Sequence, residues 1–535
     1  MSALSLDPRR VLLIHPASPY SFWSFQETVR LSGRKAMAPP LGLVTVAALL
    51  PSNWDLRACD MNTRELREED WQFADLVMIT GMIVQREGML SLIREAKRRG
   101  IPVAVGGPYA TSVPQDILDA GCDYLIKGEA EDSIAGFLDA LSRGETSGVF
   151  EESEKPNMGV SPIPRYDLLH LEDYDTVSIQ TSRGCPFSCE FCDIINLFGR
   201  VPRYKSPDQV MAELNMLYLL GWRGSIFICD DNFIGNKKHA RAILEKLIPW
   251  MAERDEPFSF FCQASVNLGQ DKELIDLMTA ANFGDVFVGV ESPDENVLKV
   301  TNKQQNVHNP LEESLRNINA NGLPVLGSFI IGFDGETKGM GERICAFVEK
   351  IGMPVIMVNM LQALPNTKLW DRLEREGRLT LDGDTCGVRG SAMNFQPSRP
   401  REEILEEFYK AIDRLYEPQA YLARAFRYTL EMRPTRKAMS PNGNPGRKTK
   451  NVTLPKGSVS RRLWEYMALI RVVWRQGVVA PYRGQFWRQL VQVRQKNPSR
   501  LVRYLSACAI GENLFQYRKN ILQDRLNRAN NQRVG

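Results

Sequence analysis

The first part of the chain alternates short apolar runs with longer stretches in which apolar residues recur at helical spacing. The apolar runs predict β-strands at 11–15, 75–80, 103–107 and 124–128. The longer stretches predict helices or helix ends at 41–50, 88–99 and 116–120. Such an alternation is typical of a parallel sheet with helices on both faces. Residues 1–145 are therefore predicted to form a doubly wound α/β domain.

A polar, proline-bearing linker is predicted at 144–164, and a second alternation follows within residues 165–400. Strands are predicted at 176–180, 225–229, 258–264, 286–290, 325–331 and 355–359. Helices are predicted between them at 207–220, 237–253, 271–281 and 311–321. Six such units fit a partial (β/α)6 barrel, in which reactive groups gather at the carboxyl ends of the strands.

The remaining residues, 401–535, are predicted to be mainly helical, with a mobile loop near 432–460. From Tyr421 onward the chain has 24 lysine and arginine residues against four acidic ones, although its net charge is only +3. This excess predicts an anionic partner, either nucleic acid or a membrane surface. The segment 463–479 is amphipathic and could lie at a lipid interface or pack on the barrel as a solvated helix. Its apolar side chains are Trp464, Leu469, Ile470, Val473 and Trp474, and its charged ones are Arg471 and Arg475.

Composition restricts the class of protein. Of the 535 residues, 43% are hydrophobic and 24% charged, which is typical of a globular protein. The ten cysteines are mostly scattered, which favours reduced thiols over a disulfide framework. The start of the chain has no signal-peptide pattern, and the longest apolar run, 41–50, is too short to span a bilayer. We therefore expect a cytoplasmic protein that has no transmembrane segment.

Three cysteines, Cys185, Cys189 and Cys192, are spaced C-x3-C-x2-C. Three thiolates can hold a four-iron cluster and leave its fourth iron open, whereas ferredoxin-type clusters take four cysteines. The alternative is a structural zinc site, which usually needs a second pair of ligands, and no such pair lies nearby in the sequence. The triplet therefore predicts a 4Fe–4S cluster with one open iron.

Polar residues and glycines follow the later strands of the predicted barrel. Carboxylates and an amide there could bind the amino group of a cosubstrate, a glutamate could bind a ribose, and glycines would allow an adenine or a sugar to approach. The alternatives are helix capping, surface ion pairing and ordinary turns. The candidate binding residues are Asp230, Asp231, Asn232, Glu291, Ser292, Gly327 and Gly332.

The strands of the N-terminal domain also end in glycines and polar residues. Ligands of doubly wound sheets bind at the carboxyl ends of the strands, and glycine allows a bulky ligand to approach the backbone. The alternative is that these glycines only form turns. The candidate residues are Thr80, Gly81, Gly106, Gly107, Gly128 and Glu129.

With Phe191 before its last cysteine, the triplet resembles the radical S-adenosylmethionine (radical SAM) enzymes. The order of the two α/β domains resembles the members of that superfamily that carry a Rossmann-like cobalamin-binding domain. The strings Asp230-Asp-Asn-Phe-Ile-Gly-Asn236 and Leu361-Gln-Ala-Leu-Pro365 look like the branch that includes hopanoid methylases. The resemblance implies a 4Fe–4S cluster, S-adenosylmethionine and cobalamin as cofactors, and the three cysteines as cluster ligands.

The chain departs from methionine-synthase-like cobalamin domains because it contains no Asp-x-His-x-x-Gly motif. His15 lies in the N-terminal domain, but at the end of a strand, where a core or turn role is expected. We therefore predict that cobalamin binds without a histidine on cobalt; the alternative is that this domain does not bind cobalamin.

The resemblance implies radical chemistry started by reductive cleavage of S-adenosylmethionine, followed by methyl transfer to an unactivated carbon. No catalytic acid or base is predicted. The substrate would be a small molecule or a lipid such as a hopanoid, and the electron donor a flavodoxin or a ferredoxin. The basic C-terminal region favours peripheral contact with a membrane, and no motif supports nucleic acid. Two alternatives remain: a radical SAM cyclase or rearrangement enzyme acting on a porphyrin-like or natural-product substrate, and a non-catalytic iron–sulfur or cobalamin sensor.

Overall fold

The computed structural model describes residues 7, 9–380, 393–439 and 457–534. A six-stranded, fully parallel sheet occupies the N-terminal part, with strand order β2-β1-β3-β4-β5-β6. Its strands are β1 (Arg10–His15), β2 (Asp55–Asp60), β3 (Leu76–Thr80), β4 (Val103–Gly106), β5 (Tyr124–Lys127) and β6 (Gly148–Glu151). The prediction of a doubly wound domain is confirmed.

The two strands that were not predicted, β2 and β6, lie at the two edges of this sheet. Edge strands are partly solvated, so they lack the continuous apolar run that marks a buried parallel strand. In β6, Val149 is exposed, and in β2 only the last two residues are buried. The predicted linker at 144–164 is therefore wrong in its first part, because β6 pairs with β5 there.

Helices cover both faces of this sheet and bury two separate apolar clusters. One cluster contains Met89, Leu92 and Ile93, and the other contains Leu43 and Phe137. The helices of this part are α1 (Gln26–Leu31), α2 (Leu41–Ala47), α3 (Glu68–Phe73), α4 (Arg86–Arg98), α5 (Pro108–Ser112), α6 (Pro114–Asp119) and α7 (Ala130–Ser142).

A second parallel sheet, of order β14-β13-β12-β11-β10-β7, forms an open barrel, and all six of its strands were predicted. They are β7 (Thr176–Ile179), β10 (Gly224–Ile228), β11 (Phe258–Gln263), β12 (Phe283–Glu291), β13 (Val325–Ile331) and β14 (Ile356–Met360). Two short antiparallel strands, β8 (Ser182–Arg183) and β9 (Arg203–Tyr204), interrupt the series.

Burial alternates along the barrel strands as the strand period requires. In β11, Phe258, Phe260 and Cys262 are buried beneath the helices, whereas the residues between them are only half-buried. The half-buried side chains face the interior of the barrel. Phe227 and Phe261 lie opposite each other in register, and their rings stack there with centroids 4.5 Å apart.

Helices pack around the outside of the barrel and contribute to one large core. They are α8 (Ile194–Phe198), α9 (Pro207–Leu219), α10 (Lys237–Glu253), α11 (Lys272–Ala280), α12 (Glu295–Val300), α13 (Gln304–Val307), α14 (Leu311–Ala320), α15 (Met340–Ile351) and α16 (Lys368–Arg375).

The C-terminal region is helical, as predicted, and packs on both preceding parts of the chain. Its last helix contacts α1, α17 and α18, so it bridges the N-terminal domain and the barrel. Of the predicted mobile loop, 440–456 lies outside the described residues, and Met432 is buried rather than mobile. The helices are α17 (Arg401–Leu415), α18 (Pro418–Glu431), α19 (Arg436–Met439), α20 (Gly457–Trp474), α21 (Arg483–Lys496) and α22 (Leu501–Val534).

None of the helices in the described ranges is long and apolar enough to cross a membrane.

Candidate functional site

The cysteine loop runs between β8 and β9, so a small antiparallel hairpin closes its base. Gly184 follows β8 with φ +95°, a conformation that favours glycine. A Cβ atom on Gly184 would also approach the carbonyl oxygens of Phe198, Gly199 and Val201 to 3.0–3.2 Å. The chain can therefore turn from β8 into Cys185 only because this position has no side chain.

The three thiols of the loop are free and mostly withdrawn from solvent. Burial raises the pKa of Cys185, and it raises that of Cys192 to about 12. The charge of Cys189 adds to both shifts. Buried, neighbouring thiols are unfavourable as thiolates until a metal compensates their charge, and metal binding deprotonates them. This donor set fits an iron–sulfur cluster.

Among the described residues, no three His, Cys, Asp or Glu side chains converge as they would on one metal ion. The thiolates of an iron–sulfur cluster bind different iron atoms, so they need not converge on one point.

The segment after α12 lies against the cysteine loop and was not singled out from the sequence. The Asn302 side chain donates to Ser188 O at 3.0 Å, and the Glu190 amide donates to Thr301 O at 3.1 Å. The Gln305 side-chain amide lies 3.7 Å from the Cys189 sulfur. Gln305 Oε1 and Asn306 Oδ1 are buried and accept no hydrogen bond from the described residues. One acceptor beside the Cys189 thiol and one beside the end of β12 thus remain for a ligand.

Glu291 ends β12 with φ +63°, which is strained for a residue with a side chain. Its carboxylate accepts a hydrogen bond from the Lys303 ammonium at 2.7 Å, and both side chains are buried. Burial lowers the pKa of Lys303, but Glu291 and the Cys189 thiol outweigh burial, so the pKa lies above its ordinary value. The pair places one cation beside the cysteine loop.

Replacing Lys303 by methionine should destabilise the metal-free protein by about 3–5 kcal/mol, because it leaves the Glu291 charge buried without its partner. Lys299→Met is the control, since Lys299 pairs with Glu295 on the surface and its loss should cost at most about 1 kcal/mol. Urea unfolding followed by tryptophan fluorescence measures both. Equal effects of the two substitutions would contradict a buried, charge-compensating role for Lys303.

Asp230 follows β10 and is fully buried. It accepts hydrogen bonds from the backbone amides of Thr181 and Ser182 at 2.6 and 3.0 Å and from both of their hydroxyls. The next residue, Asp231, accepts from the Gly184 amide at 2.9 Å, and burial raises its pKa to about 7. The Asn232 amide exchanges hydrogen bonds with Ser265. These three residues therefore hold the loops around the site.

The other candidate residues of the barrel differ in their burial and in the groups that they contact. Phe191 packs on Phe333 with ring centroids 5.3 Å apart, and Ser292 is fully buried. Gly327 faces the helix layer, because a Cβ there would meet the Met353 side chain at 3.2 Å. Gly332 has φ +110°, and its amide donates to the Glu336 carboxylate. The two glycines thus serve packing and a turn, and the structure does not bring them to the interior.

An ion-pair network joins the cysteine loop to the end of β13. Arg372 of α16 donates to Glu190 at 2.9 Å and to Asp334 at 2.7 Å, and Arg378 also binds Asp334. Burial opposes ionisation of Asp334, but the two arginines outweigh it and lower its pKa to about 2. Sequence reasoning missed this network, since Arg372 lies 182 positions from Glu190 and 38 positions from Asp334.

At the carboxyl edge of the N-terminal sheet, the predicted glycines are packed tightly. Gly107 has φ +94°, and a Cβ there would approach Thr80 Oγ1 to 2.3 Å. A Cβ on Gly81 would meet the Met89 sulfur at 2.7 Å, and one on Gly106 would meet Ile126 O at 3.2 Å. These glycines allow the loops at the end of the sheet to pack on one another.

His15 is half-buried, and both of its ring nitrogens are engaged. Nδ1 lies 3.2 Å from Thr80 O, and Nε2 lies 3.0 Å from the Gln85 amide nitrogen. Burial lowers its pKa, so a neutral core histidine is favoured. Met82, directly after β3, is instead 52% exposed at this edge. The donor set fits a corrin that binds over apolar surface and backbone without an imidazole ligand.

Gly128 has φ +75°, and the space beside it is filled by the Glu152 side chain. Glu129 begins α7 and is almost completely buried. Its carboxylate binds Arg183 of β8 at 2.6 Å and Arg203 of β9 at 2.5 Å. Glu129 therefore contacts the base of the cysteine loop.

Three family descriptions match consecutive parts of the chain. "B12 binding domain" matches residues 28–138, "Radical SAM superfamily" matches 179–348, and "Domain of unknown function (DUF4070)" matches 367–527. The chain is 46% identical over 515 residues to an uncharacterized methyltransferase, sll1242, of Synechocystis, with 96% of this chain and 93% of the relative covered. It is 35% identical over 490 residues to the hopanoid C-2 methylase of Rhodopseudomonas palustris, with 90% and 88% covered.

The chain belongs to the cobalamin-binding radical SAM methylases. The fold agrees with solved structures. OxsB, a cobalamin-dependent S-adenosylmethionine radical enzyme, superposes with a TM-score of 0.58 at 14% identity, covering 98% of this chain and 81% of OxsB. The radical SAM methyltransferase TsrM of Kitasatospora setae gives 0.54 at 18% identity, covering 70% and 79%.

Membership confirms the predicted cofactors of this methylase, which are a 4Fe–4S cluster, S-adenosylmethionine and cobalamin. The alternative of a non-catalytic sensor is wrong for this family, because the two relatives described above are a methyltransferase and a methylase. The structure adds the contacts that sequence reasoning missed, chiefly Lys303, Gln305 and Arg372 around the cysteine loop.

Proposed function

We propose that this methylase transfers a methyl group to an unactivated carbon of a hopanoid-like lipid, with Cys185, Cys189 and Cys192 as the ligands of its cluster. The observation that carries the substrate class is a set of hydrocarbon side chains in the interior of the barrel. Phe227, Phe261 and Ile330 are half-buried there and present hydrocarbon rather than charge. A polycyclic hydrocarbon gains free energy when such a surface removes it from water. The identity to a hopanoid C-2 methylase supports the same class.

When bound, the cofactors supply electron transfer, hydrogen abstraction and the methyl group. The residues of the chain bind and orient these cofactors. The three thiols would hold the cluster, and Gln305 Oε1 and Asn306 Oδ1 offer buried acceptors for S-adenosylmethionine. Both carboxylate oxygens of Asp230 already accept hydrogen bonds from Thr181 and Ser182. Asp231 is therefore the better candidate to bind the amino group of the cosubstrate. No proton has to be moved by a side chain in the abstraction step.

Helix α22 contacts the barrel near the start of β12. Arg503 of α22 donates to Asp285, in the first half of β12, at 2.7 Å. Burial raises the pKa of Asp285, and the positive charge of Arg503 opposes that shift. The substrate would therefore enter from the other end, where the cysteine loop and the N-terminal domain meet.

The test uses the anaerobically reconstituted protein, a reduced flavodoxin, an unmethylated hopanoid and S-adenosylmethionine deuterated on its methyl group. Mass spectrometry should find the deuterated methyl group in the lipid. It should also find 5′-deoxyadenosine and S-adenosylhomocysteine in equal amounts, since one cosubstrate accepts the hydrogen and a second donates the methyl. A product without the label would contradict methyl transfer. A labelled product from another compound class only would contradict the lipid assignment.

Peripheral contact with a membrane is part of the same proposal. An apolar face extends from the end of α20 into α21, and we call it the C-terminal patch. Its side chains are exposed although apolar, whereas Val472 and Gln476, on the opposite side of α20 and the following turn, are buried. The patch consists of Tyr466, Ile470, Trp474, Val478, Val479, Trp487 and Val491.

The patch is continuous and surrounded by positive charge. The indole of Trp487 in α21 donates to Gly477 O at 2.8 Å, which joins its two halves. Arg483, Arg488 and Arg494 are exposed beside it and form no ion pair with the described residues. Exposed aromatic side chains with neighbouring arginines favour the interface of an anionic bilayer. A lipid substrate could then pass from the membrane to the barrel.

Vesicle flotation tests this contact. Wild-type protein should float with vesicles containing anionic lipid, and the double substitution Ile470→Ser, Trp474→Ser should weaken binding by at least about tenfold, since both side chains lose burial in lipid. Val502→Ser is the control, because Val502 is an exposed apolar residue of α22 outside the patch. Equal flotation of all three proteins would contradict the assignment.

A further inference from the structure

Two arginines stand directly opposite each other at the base of the cysteine loop. Arg183 of β8 and Arg203 of β9 are register partners in the antiparallel hairpin. Like charges at opposed positions destabilise strand pairing. Both side chains are also largely buried, so water screens their repulsion little. The hairpin is therefore stable only if acidic side chains from another part of the chain compensate the two arginines.

That charge comes from the N-terminal domain. Arg203 binds both oxygens of Glu129, at 2.5 and 3.0 Å. Arg183 binds Glu129 at 2.6 Å and both oxygens of Glu131, at 2.8 and 2.9 Å. The two carboxylate side chains are only 2% and 4% exposed. Two cations thus meet two anions in a buried, charge-balanced cluster.

This cluster of ion pairs lies between the N-terminal sheet and the cysteine loop. Glu129 directly follows the carboxyl end of β5, at the edge where a doubly wound sheet binds its ligand. Arg183 stands two positions before Cys185. One set of ion pairs therefore connects the ligand edge of the B12-binding domain to the loop that carries the thiols.

We propose that Glu129 and Glu131 are positioning residues that complete the β8–β9 hairpin and fix the cysteine loop relative to the cobalamin-binding domain. This inference rests on the proposed function in assigning the iron–sulfur cluster to that loop. Without the carboxylates, the opposed arginines repel each other, the hairpin opens, and hydrogen abstraction is no longer aligned with methyl transfer. Glu129 would then act on the loop, not on the corrin.

The test compares Glu129→Gln and Glu131→Gln with wild type in the full-length, reconstituted protein. Both substitutions keep the side-chain shape and remove the charge. Hydrogen exchange of the peptides covering 181–204 should become about tenfold faster or more, while peptides from β10 to β14 keep their protection. Glu95→Gln is the control, since Glu95 pairs with Arg98 and Arg99 at the end of α4, more than 80 positions before the hairpin.

Two further measurements separate positioning from a merely structural role. The ratio of 5′-deoxyadenosine to methylated product should rise several-fold in both variants, and the electron paramagnetic resonance spectrum of the reduced cluster should broaden or shift. The bound corrinoid absorbance should stay at the wild-type level. Loss of corrinoid with unchanged exchange at 181–204 would overturn the proposal and make Glu129 a cobalamin contact. Exchange and product ratio equal to wild type would also overturn it. If wild type itself takes up no cluster, the proposed function fails, while the exchange comparison still reports on the hairpin.

Discussion

Replacing any one of Cys185, Cys189 and Cys192 by alanine is expected to abolish 5′-deoxyadenosine formation and methylation. The reason is that three thiolates are the minimum that holds the cluster with one iron open. Iron and sulfide content after anaerobic reconstitution should fall with the activity. The bound corrinoid should remain, because the N-terminal sheet folds around its own two apolar clusters.

Cys229→Ala is the matched control for these variants. Cys229 directly precedes Asp230 at the end of the neighbouring strand β10, so it is the cysteine outside the triplet closest to the site along the sheet. We expect this variant to keep its cluster and its activity. If it loses the cluster as the triplet variants do, a fourth thiolate closes the iron site, and the open-iron account is wrong.

Asp230→Ala should destabilise the protein by about 3 kcal/mol or more and should lower cluster content. Its carboxylate accepts hydrogen bonds from two backbone amides and two hydroxyls in a fully buried position, and removal leaves those donors without partners. Because these donors belong to Thr181 and Ser182, the entry of the chain into the cysteine loop would lose its support. Urea unfolding and iron content measure the two effects.

Asp230→Asn distinguishes support of the loop from binding of the cosubstrate. An asparagine oxygen can still accept from the two amides, and the hydroxyls can rotate to accept from its NH2 group. We therefore expect near wild-type stability and an unchanged KM for S-adenosylmethionine. A large rise in KM with normal stability would contradict the structural role and would support direct binding by Asp230.

The strands of both sheets were largely predictable because buried parallel strands are continuous apolar runs. β13 was predicted with its exact bounds, 325–331, and the prediction missed only short or edge strands such as β2, β6, β8 and β9. Those strands carry polar or charged residues whose pairing depends on distant partners. The domain boundaries at 145, 165 and 400 stay predictions, with β6 showing that the first sheet extends past residue 145.

The cysteines could be predicted because the spacing of the three thiols in the sequence is itself what a cluster with one open iron requires. The residues that hold the loop were not, since Lys303, Gln305 and Arg372 reach it only through the folding of the barrel. Glu129 was predicted at the right edge of the sheet, but its partners, Arg183 and Arg203, are 54 and 74 positions away. The sequence shows which residues are charged. It does not show which distant residue forms an ion pair with each buried one.

The central claim is that the cysteine triplet holds a cluster with an open iron to which S-adenosylmethionine binds. The most direct measurement is the electron paramagnetic resonance spectrum of the reduced, reconstituted protein before and after addition of the cosubstrate. The account predicts a 4Fe–4S signal whose g-values shift when S-adenosylmethionine is added, because the ligand binds iron itself. A signal that does not change on addition, or zinc in place of iron in the protein purified without oxygen, would contradict it.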